Sequence, residues 1–459
     1  MKRLSVWMLA TVVGACLGSA REARAQGYGL YEFGACAMGM GGAGVAGPCD
    51  EGSTIFFNPA GLALVTRPVL NVGGTLIGPF GDFTSDTGVT TELERKWIPA
   101  PSIYLAKPIG GGRSVLGFGV MAPYGLTLEW PQDFEGRFLA YKVGLQVVYL
   151  QPTYAFKVTD RFMIGGGVDL SYAKVELHQR ADLSVQRITG TPFTFGNLGV
   201  PRGTDFADLT LEGDTVQAGF HVGVLVRPTD RVAIGARYLS RQKVDTDEGD
   251  LTSEQIPTGF RLPVPLPGVP AGTPVDALLA PLFGAGGRLA DQKVATALYL
   301  PDQFVAGISL RPTDRTTVNA DYQFVNWSLF DVLEIEGENG LSQRSIEDYR
   351  DSHGVRVGAE YRATDRFAVR AGIIAHTAAA PDQTVTPLLP EGKRVDLAGG
   401  FGYDMTDAVR LDVAYMYLFQ PERRGRTTDG GLERPTVEVN NGVYHFRANL
   451  FAVNLVWKF

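Results

Sequence analysis

The chain has few of the residues that build metal and redox sites. Its 459 residues include only three cysteines and five histidines, and no C-x-x-C pair occurs. The histidines are scattered along the chain, so the sequence does not predict a zinc site. The chain also lacks a basic stripe. Its formal net charge is −7, which argues against nucleic acid as a partner.

Long hydrophobic runs are missing beyond the N-terminus. No later segment offers the roughly 18 uncharged apolar residues that a membrane helix needs, so a helical membrane protein is excluded. Residues 1–26 have a charged start, an apolar core and an A-x-A site ending at Ala25, the three parts of a secretory signal. We therefore predict a signal peptide at 1–25 and an exported mature chain. A lipoprotein signal with Cys16 as the lipidated residue is the alternative.

Two cysteines remain after this cleavage, Cys36 and Cys49. Cysteines this close in an oxidising compartment are expected to form a disulfide, and two free thiols are the alternative. Between them, Gly39, Gly41 and Gly44 satisfy G-x-G-x-x-G, the pattern of a loop that holds a dinucleotide pyrophosphate. Such a loop follows a buried strand, whereas these glycines follow the signal. We therefore interpret them as residues that permit close packing, and we predict no cofactor.

Glycine and short turns are what the chain has in abundance. Glycine accounts for 57 residues, which is well above ordinary usage. A Thr-Asp turn followed by alternating apolar residues recurs five times, and a glycine turn at 108–113 adds a sixth. The intervals between these turns vary, which excludes a solenoid of fixed period. Constant short turns separated by variable loops predict up-and-down hairpins with two unlike ends.

Six turns join twelve strands, and one strand before and one after bring the predicted count to fourteen. The hairpins are 98–107/114–124, 141–157/162–177, 215–227/231–241, 294–310/316–327, 347–362/366–377 and 393–405/409–419, flanked by strands 68–80 and 442–459. An even number of antiparallel strands with short turns at one end predicts an all-β fold, a transmembrane β-barrel of the outer membrane. A large soluble sandwich with one wet face is the alternative, because it uses the same alternation.

Apolar and polar residues alternate along these strands. A charged side chain facing lipid near mid-membrane is costly, so the polar set is expected inside the barrel. That set is Asp169, Gln217, His221, Arg237, Asp321, Arg356, Glu360, Arg370, Asp396, Arg410 and Asp412.

Four stretches, at 38–63, 122–161, 300–331 and 348–373, resemble outer-membrane transporters of long-chain fatty acids and aromatic hydrocarbons, the FadL/TodX type. The resemblance covers nearly the whole mature chain. It implies a monomeric, 14-stranded barrel over 67–459 with an N-terminal hatch, or plug, over 26–66 inside the lumen. The hatch signature is matched by Asn58, Pro59 and Ala60, and the hatch also contains Gly39, Gly41 and Gly44.

The third predicted strand is interrupted by Gly117, Gly119 and Pro123. Proline cannot donate to a ladder and glycine weakens a strand, so these residues indicate a local gap in the wall, with simple barrel curvature as the alternative. In the family that the chain resembles, a kink in the third strand together with a shift of the hatch opens a lateral exit into the membrane.

Long loops at 178–214 and 242–293 carry large apolar residues. Exposed apolar patches mark binding or membrane contact, so we predict that these residues capture a hydrophobic ligand. Packing together as a lid over the barrel is the alternative. They are Phe193, Phe195, Leu262, Val264, Leu266, Leu278, Leu279, Leu282 and Phe283.

The sequence thus predicts a non-enzymatic outer-membrane protein of a Gram-negative bacterium. Its expected function is passive transport of fatty acids or similar lipophilic compounds, by capture at the loops, transfer to a hatch-bounded pocket and lateral exit. The expected partners are this ligand and outer-membrane lipid. The alternatives are an uptake channel for aromatic hydrocarbons, a general porin, and a lipid hydrolase that uses His221 as a base.

Overall fold

The computed structural model describes residues 27–30, 33–188, 190–382, 384–425 and 441–459, so the predicted signal peptide lies outside the described residues. Within this part of the chain, fourteen antiparallel strands form a closed barrel. They are β1 (Val69–Ser85), β2 (Ile98–Ile109), β3 (Ser114–Glu129), β4 (Lys142–Thr159), β5 (Phe162–Asp182), β6 (Asp205–Thr229), β7 (Val232–Leu239), β8 (Gln303–Thr313), β9 (Thr316–Val325), β10 (Ser352–Arg362), β11 (Phe367–His376), β12 (Arg394–Asp404), β13 (Val409–Phe419) and β14 (Gly442–Lys458).

Each strand pairs with the next, and β14 pairs with β1 in a register that runs from Val69↔Lys458 to Ser85↔Gly442. The predicted strand count and the closed barrel are therefore confirmed. Short turns join β2 to β3, β4 to β5 and each later pair at one end of the barrel. The long connections all lie at the other end. Among the described residues, no helix is long and apolar enough to cross a bilayer.

The long connections hold more regular structure than the sequence predicted. The predicted strand 294–310 is two strands, Gln292–Leu300 outside the barrel and β8 within it, separated at Pro301. The 242–293 loop contains a strand, Gln242–Gln255, and a helix, Val275–Phe283. Gln242–Gln255 pairs with β6 and with Gln292–Leu300, which in turn pairs with Val332–Gly337. These pairings extend the wall into a sheet beyond the barrel. The composition of the loops did not predict this sheet.

Alternation places apolar side chains outside and polar ones inside. On β6, Val216, Phe220 and Val222 are exposed on the outer face, while His221 between the last two is buried. Most of the polar residues predicted to face the lumen are buried as well. Gln217 and Glu360 are half-buried. The pattern fits a barrel with lipid outside, because the outward face is the apolar one.

Residues 27–30 and 33–67, here the N-terminal segment, lie largely buried within the barrel. Their regular structure is α1 (Ala35–Gly39), α2 (Thr54–Phe57) and a 3₁₀ helix, Pro59–Leu64. Helix α1 packs on β11 to β14, whereas the 3₁₀ helix packs on β3 to β6. Since these two groups of strands stand on different sides of the barrel, the segment crosses its lumen.

Candidate functional site

The barrel wall is interrupted between β2 and β3. These strands pair only from Ile109↔Ser114 to Ile103↔Val120. Beyond that point β2 continues to pair with β1, and β3 continues to pair with β4 as far as Glu129. Within the described residues, 121–129 of β3 therefore have no ladder partner on β2. The wall has an opening at this level.

Proline and a bulge account for the opening. The register between β3 and β4 shifts by one residue between Met121 and Tyr124, at Pro123. On the opposite side of the opening, β2 carries Pro99 and Pro101. Proline has no N–H to donate to a ladder, and a bulge bends the strand that carries it. Together these features prevent β2 and β3 from continuing as a regular hairpin.

Residues 27–30 of the N-terminal segment lie along the unpaired edge of β3. Leu30 donates its N–H to the Pro123 carbonyl at 2.8 Å, and Gly125 donates to the Tyr28 carbonyl at 3.0 Å. An isolated β-bridge joins Gly29 to Tyr124. These bonds satisfy backbone groups that the missing β2 partner would otherwise have paired. The start of the segment thus occupies the opening as a short added strand.

Tyr28 fixes this added strand. Its side chain is buried, and its hydroxyl donates to the Tyr299 carbonyl at 2.5 Å. Its ring packs edge-on against Trp327 at a centroid distance of 4.6 Å. At the preceding residue, the Gly27 N–H donates to the Glu391 carboxylate at 2.8 Å. The strand is therefore held by burial as well as by backbone bonds.

A cavity of about 430 Å³, here the wall cavity, lies behind the opening. Its lining comes from the added strand, from β1 to β4, from β13 and β14 and from the chain before β12. The apolar residues among these include Tyr28, Leu30, Ile77, Ile98, Ala100, Leu126, Leu145, Val147, Leu389, Leu418, Phe446 and Leu450. The size lies within the usual range for ligand pockets, roughly 300–1,000 Å³.

Two smaller cavities continue from the wall cavity towards the long connections. The loop cavity, about 90 Å³, shares Tyr28, Leu126, Leu145 and Leu389 with the wall cavity. The outer cavity, about 30 Å³, has four lining residues in common with the loop cavity, namely Leu177, Leu333, Ile335 and Leu388. Because neighbouring cavities share lining side chains, they lie in a row from the long connections to the opening, here the apolar path.

A fourth cavity, the polar cavity of about 450 Å³, lies at the end of the short turns beneath the N-terminal segment. Its charged lining residues are Asp50, Arg227, Asp230, Arg231, Arg311, Asp314, Glu360, Arg362 and Arg410. Apolar molecules gain nothing from such a lining. The two ends of the lumen are thus chemically opposite.

Polar side chains of the wall bind the backbone of the N-terminal segment. Arg237 donates to the Phe56 carbonyl at 3.0 Å, and Asn319 donates to the Ala43 carbonyl at 2.9 Å. Asp321 accepts N–H bonds from Gly44 and Val45. A second set of charges pairs within the wall itself, where Arg370 contacts Glu360 and Asp412. The predicted lumen residues in these contacts anchor the segment or each other.

The residues of the predicted hatch signature form a tight joint with the wall. Asn58 donates to the Val45 and Val224 carbonyls at 2.6 and 3.0 Å and accepts the Ala60 N–H at 3.1 Å. Pro59 begins the 3₁₀ helix, where its missing N–H is not needed. A Cβ at Gly223 of β6 would lie 2.2 Å from the Asn58 side chain. The joint therefore requires glycine on the facing strand.

The glycines near α1 serve backbone conformation and close approach. Gly41 has φ +64°, and a Cβ there would lie 3.1 Å from the Ile373 nitrogen of β11. The Gly44 N–H is the donor to Asp321, and a Cβ at Gly39 would lie 3.3 Å from the Arg370 Cβ. A disulfide joins Cys36 to Cys49 across this stretch, with Cα atoms 6.3 Å apart.

The residues predicted for the lateral opening lie on both sides of Val120, where the pairing of β3 with β2 ends. Gly117 and Gly119 pair with β2 and β4 on both sides, so the wall is continuous at these two positions. A Cβ at Gly117 would meet Leu62 at 2.6 Å, which shows that this glycine makes room for the N-terminal segment. Pro123 lies in the bulge beside the opening. The wall is therefore interrupted at 121–129, whereas the sequence predicted the gap at 117–123.

The predicted capture residues mostly pack against one another. Phe195, Leu262 and Leu279 are buried in a cluster over the loop cavity, with the Leu266, Leu278, Leu282 and Phe283 side chains packed against it. Phe193 and Val264 are exposed. None of the nine lines one of the four cavities described above. This packing fits the lid alternative, and capture of a ligand at these loops stays a prediction.

The residues that line the apolar path were missed from sequence. Tyr28, Leu389 and Glu391 lie in segments without periodicity, and they meet only in three dimensions. One signal could have located the opening, namely Pro99 and Pro101 within a predicted strand, because proline in a strand marks an unpaired edge.

His221 lies in a buried polar cluster whose sequence of contacts, Asp169 to His221 to Thr153, resembles a catalytic triad. Its Nδ1 lies 2.5 Å from Asp169, and its Nε2 lies 3.0 Å from the Thr153 hydroxyl. Gln151 also bonds Asp169 at 2.7 Å. A hydrolase needs substrate at its nucleophile, yet Thr153, His221 and Asp169 are all buried and line none of the four cavities. The geometry suits a structural cluster.

Comparison with known proteins gives a match over almost the whole chain. The family described as outer membrane protein transport protein (OMPP1/FadL/TodX) matches residues 16–459. A long-chain fatty acid transport protein of Escherichia coli O6:H1 is 24% identical over 412 residues, covering 86% of this chain and 87% of that protein. A 47 kDa outer membrane protein of Pasteurella multocida is 27% identical, covering 90% of both chains.

Solved structures show the same fold. A Pseudomonas aeruginosa FadL homologue superposes with a TM-score of 0.80 at 19% identity, covering 95% of this chain and all of that one. The toluene transporter TodX of P. putida superposes with a TM-score of 0.69 at 15% identity, covering 94% of this chain and 99% of that one.

Proposed function

The chain belongs to the outer membrane protein transport family OMPP1/FadL/TodX, and from this premise we propose that it carries hydrophobic molecules passively across the outer membrane of a Gram-negative bacterium. The transported class is that of fatty acids, hydrocarbons and similar lipophilic compounds. Relatives named for long-chain fatty acids and for toluene support this breadth. The protein acts as a monomer in contact with membrane lipid and catalyses no reaction.

One observation carries the proposal: the apolar path runs from the long connections to the opening in the wall. Short turns face the periplasm in outer-membrane barrels, so the outer cavity lies on the extracellular side. Each buried methylene gains about 0.8 kcal/mol, so the wall cavity can hold an alkyl chain through contact area alone. The exit is sideways, because the route along the axis ends at the charged polar cavity.

The N-terminal segment acts as the hatch in this proposal. Its bonds to the wall, from Arg237 and Asp321 among others, hold the bulk of it in place. The added strand at 27–30 lies directly in the opening. Release of this strand, with 33–67 staying in place, is sufficient to connect the wall cavity to the membrane. A general porin would need an open lumen, which the segment fills.

The test is to alter the opening without changing the rest of the wall. A Cβ at Gly125 would lie 2.9 Å from the Leu30 Cδ1, so Gly125→Leu places bulk on the unpaired edge. Gly399→Leu is the matched control, because a Cβ at that position meets only one atom, at 3.8 Å. Cells expressing each variant are compared for uptake of a radiolabelled hydrophobe, with surface amounts equalised. We expect changed uptake for Gly125→Leu alone, lower if the leucine fills the opening and higher if it displaces the added strand. Equal uptake in both variants would rule out lateral exit at this place.

A further inference from the structure

The apolar path is widest at the opening and narrow towards the long connections. The wall cavity has about 430 Å³, the loop cavity about 90 Å³ and the outer cavity about 30 Å³. An apolar cavity of about 150 Å³ is large enough to bind benzene. The wall cavity therefore has room for a six-membered ring, whereas the loop and outer cavities are too small for one. A ligand that enters from the long connections meets the narrow part first.

A continuous sheet curls around the loop cavity. Strands β4, β5 and β6 pair in succession, β6 pairs with Gln242–Gln255, and the sheet continues through Gln292–Leu300 to Val332–Gly337. Side chains from both ends of this sheet line the same cavity, Leu145 on β4 and Ile335 on Val332–Gly337. Because backbone hydrogen bonds join the neighbouring strands and the interior is closely packed, the cavity can widen only by displacement of its side chains.

Leu211 on β6 and Leu298 on Gln292–Leu300 are two buried side chains of this lining. Each lines the loop cavity and none of the other three cavities. Both are held by the sheet, since Leu211 pairs with Leu251 and Leu298 pairs with Val244. Truncation of a buried leucine leaves a cavity, because the surroundings relax only in part. Shortening either side chain would therefore enlarge the narrow part of the path.

The shape of a hydrocarbon determines how it can pass a narrow cavity. An extended alkyl chain distributes its carbons along the path, so that only a few of them occupy the loop cavity at one time. A ring or a branched skeleton places its carbons side by side, and these must enter the loop cavity together. Excess volume forces packed side chains out of their preferred rotamers, which costs free energy.

Resting on the proposed function, we propose that the loop cavity selects unbranched alkyl chains over cyclic and branched hydrocarbons, and that Leu211 and Leu298 determine this selectivity. The transported class is thereby narrowed from lipophilic compounds in general to those with a long unbranched chain. The selection is by shape and does not depend on the charge of a head group.

The experiment compares dodecane with cyclododecane, because both have twelve saturated carbons and differ in shape. Cells that express the full chain are exposed to each hydrocarbon, and the amount taken up is measured by gas chromatography after extraction. Uptake by cells without the protein is subtracted, and surface amounts are equalised. We expect dodecane to enter about tenfold faster, which corresponds to about 1.4 kcal/mol and lies within the usual cost of overpacking.

Variants of the loop cavity test the assignment. Leu298→Ala and Leu211→Ala should each reduce the preference for dodecane to about threefold or less, because the enlarged cavity admits more of the ring. Leu251→Ala is the matched control. It shortens a buried leucine of the same sheet that lines none of the four cavities, so the preference should stay at about tenfold.

A preference for dodecane that falls in Leu298→Ala or Leu211→Ala and persists in Leu251→Ala supports the inference. Equal uptake of the two hydrocarbons by the unaltered protein overturns it and leaves hydrophobe transport standing. A preference that neither loop-cavity variant reduces, or that Leu251→Ala reduces equally, overturns the role of Leu211 and Leu298. Absence of protein-dependent uptake of either hydrocarbon contradicts the proposed function itself. The comparison in the unaltered protein keeps the test valid even if a variant fails to assemble.

Discussion

Replacing Tyr28 tests how firmly the added strand closes the opening. Tyr28→Ala removes a buried ring that packs on Trp327 at 4.6 Å, together with the hydroxyl bond to Tyr299. Removing a buried aromatic side chain costs about 3–5 kcal/mol. Since about 1.4 kcal/mol corresponds to tenfold in an equilibrium constant, release of residues 27–30 should become roughly 10² to 4 × 10³ times more populated. Tyr28→Phe loses only the hydroxyl bond, about 0.5–1.5 kcal/mol, so its effect should be about tenfold or less.

Amide hydrogen exchange measures this release directly. The N–H groups of Leu30 and Gly125 are the donors that join the added strand to β3, so their protection reports its attachment. We expect much faster exchange of both in Tyr28→Ala and a small change in Tyr28→Phe. Tyr403→Ala, on the exposed outer face of β12, is the control and should leave both unchanged. Unchanged protection in Tyr28→Ala would refute the idea that Tyr28 holds the strand.

Three further predictions concern the N-terminal segment. Asn58→Ala removes three hydrogen bonds and should weaken packing of the segment by about 1–3 kcal/mol. We expect faster proteolysis of 33–67, and full resistance would contradict the anchoring role. Loss of the Cys36–Cys49 disulfide, by reductant or in the double alanine variant, should destabilise the segment by about 3 kcal/mol. Thermal unfolding of the segment measures this effect, and an unchanged transition would contradict it. Burial raises the pKa of Glu51 from 4.5 to about 7, so packing of the segment should weaken as pH rises from 4.5 to 7 and then stay constant. Glu51→Gln should abolish that slope, and a slope that persists would assign it to another group.

The barrel could be predicted from sequence because its signals are local. Turns such as Thr-Asp and the alternation along β6 fix strands without knowledge of their neighbours, and fourteen strands follow from counting turns. The strand 294–310 was wrong because its apolar run continues through Pro301, where the chain leaves the barrel wall. Periodicity cannot show which sheet a strand joins.

The site could be predicted only in outline, because it is made by contacts between distant segments. The wall cavity combines Tyr28, Leu126 and Leu389, which are far apart in sequence. Apolar loop residues such as Leu279 suggested a capture surface, yet Leu279 is buried against its neighbours while Phe193 is exposed. Hydrophobicity identifies residues that avoid water and does not distinguish a lid from a binding pocket.

The central claim is that a hydrophobic ligand occupies the wall cavity behind the opening between β2 and β3. Crystals of the protein grown with 1-bromododecane would test it through the anomalous signal of bromine. The proposed path predicts a bromine peak, or the alkyl density leading to one, among Leu126, Leu145 and Leu389. A ligand bound instead in the polar cavity, beside Arg227 and Arg311, would contradict the lateral route.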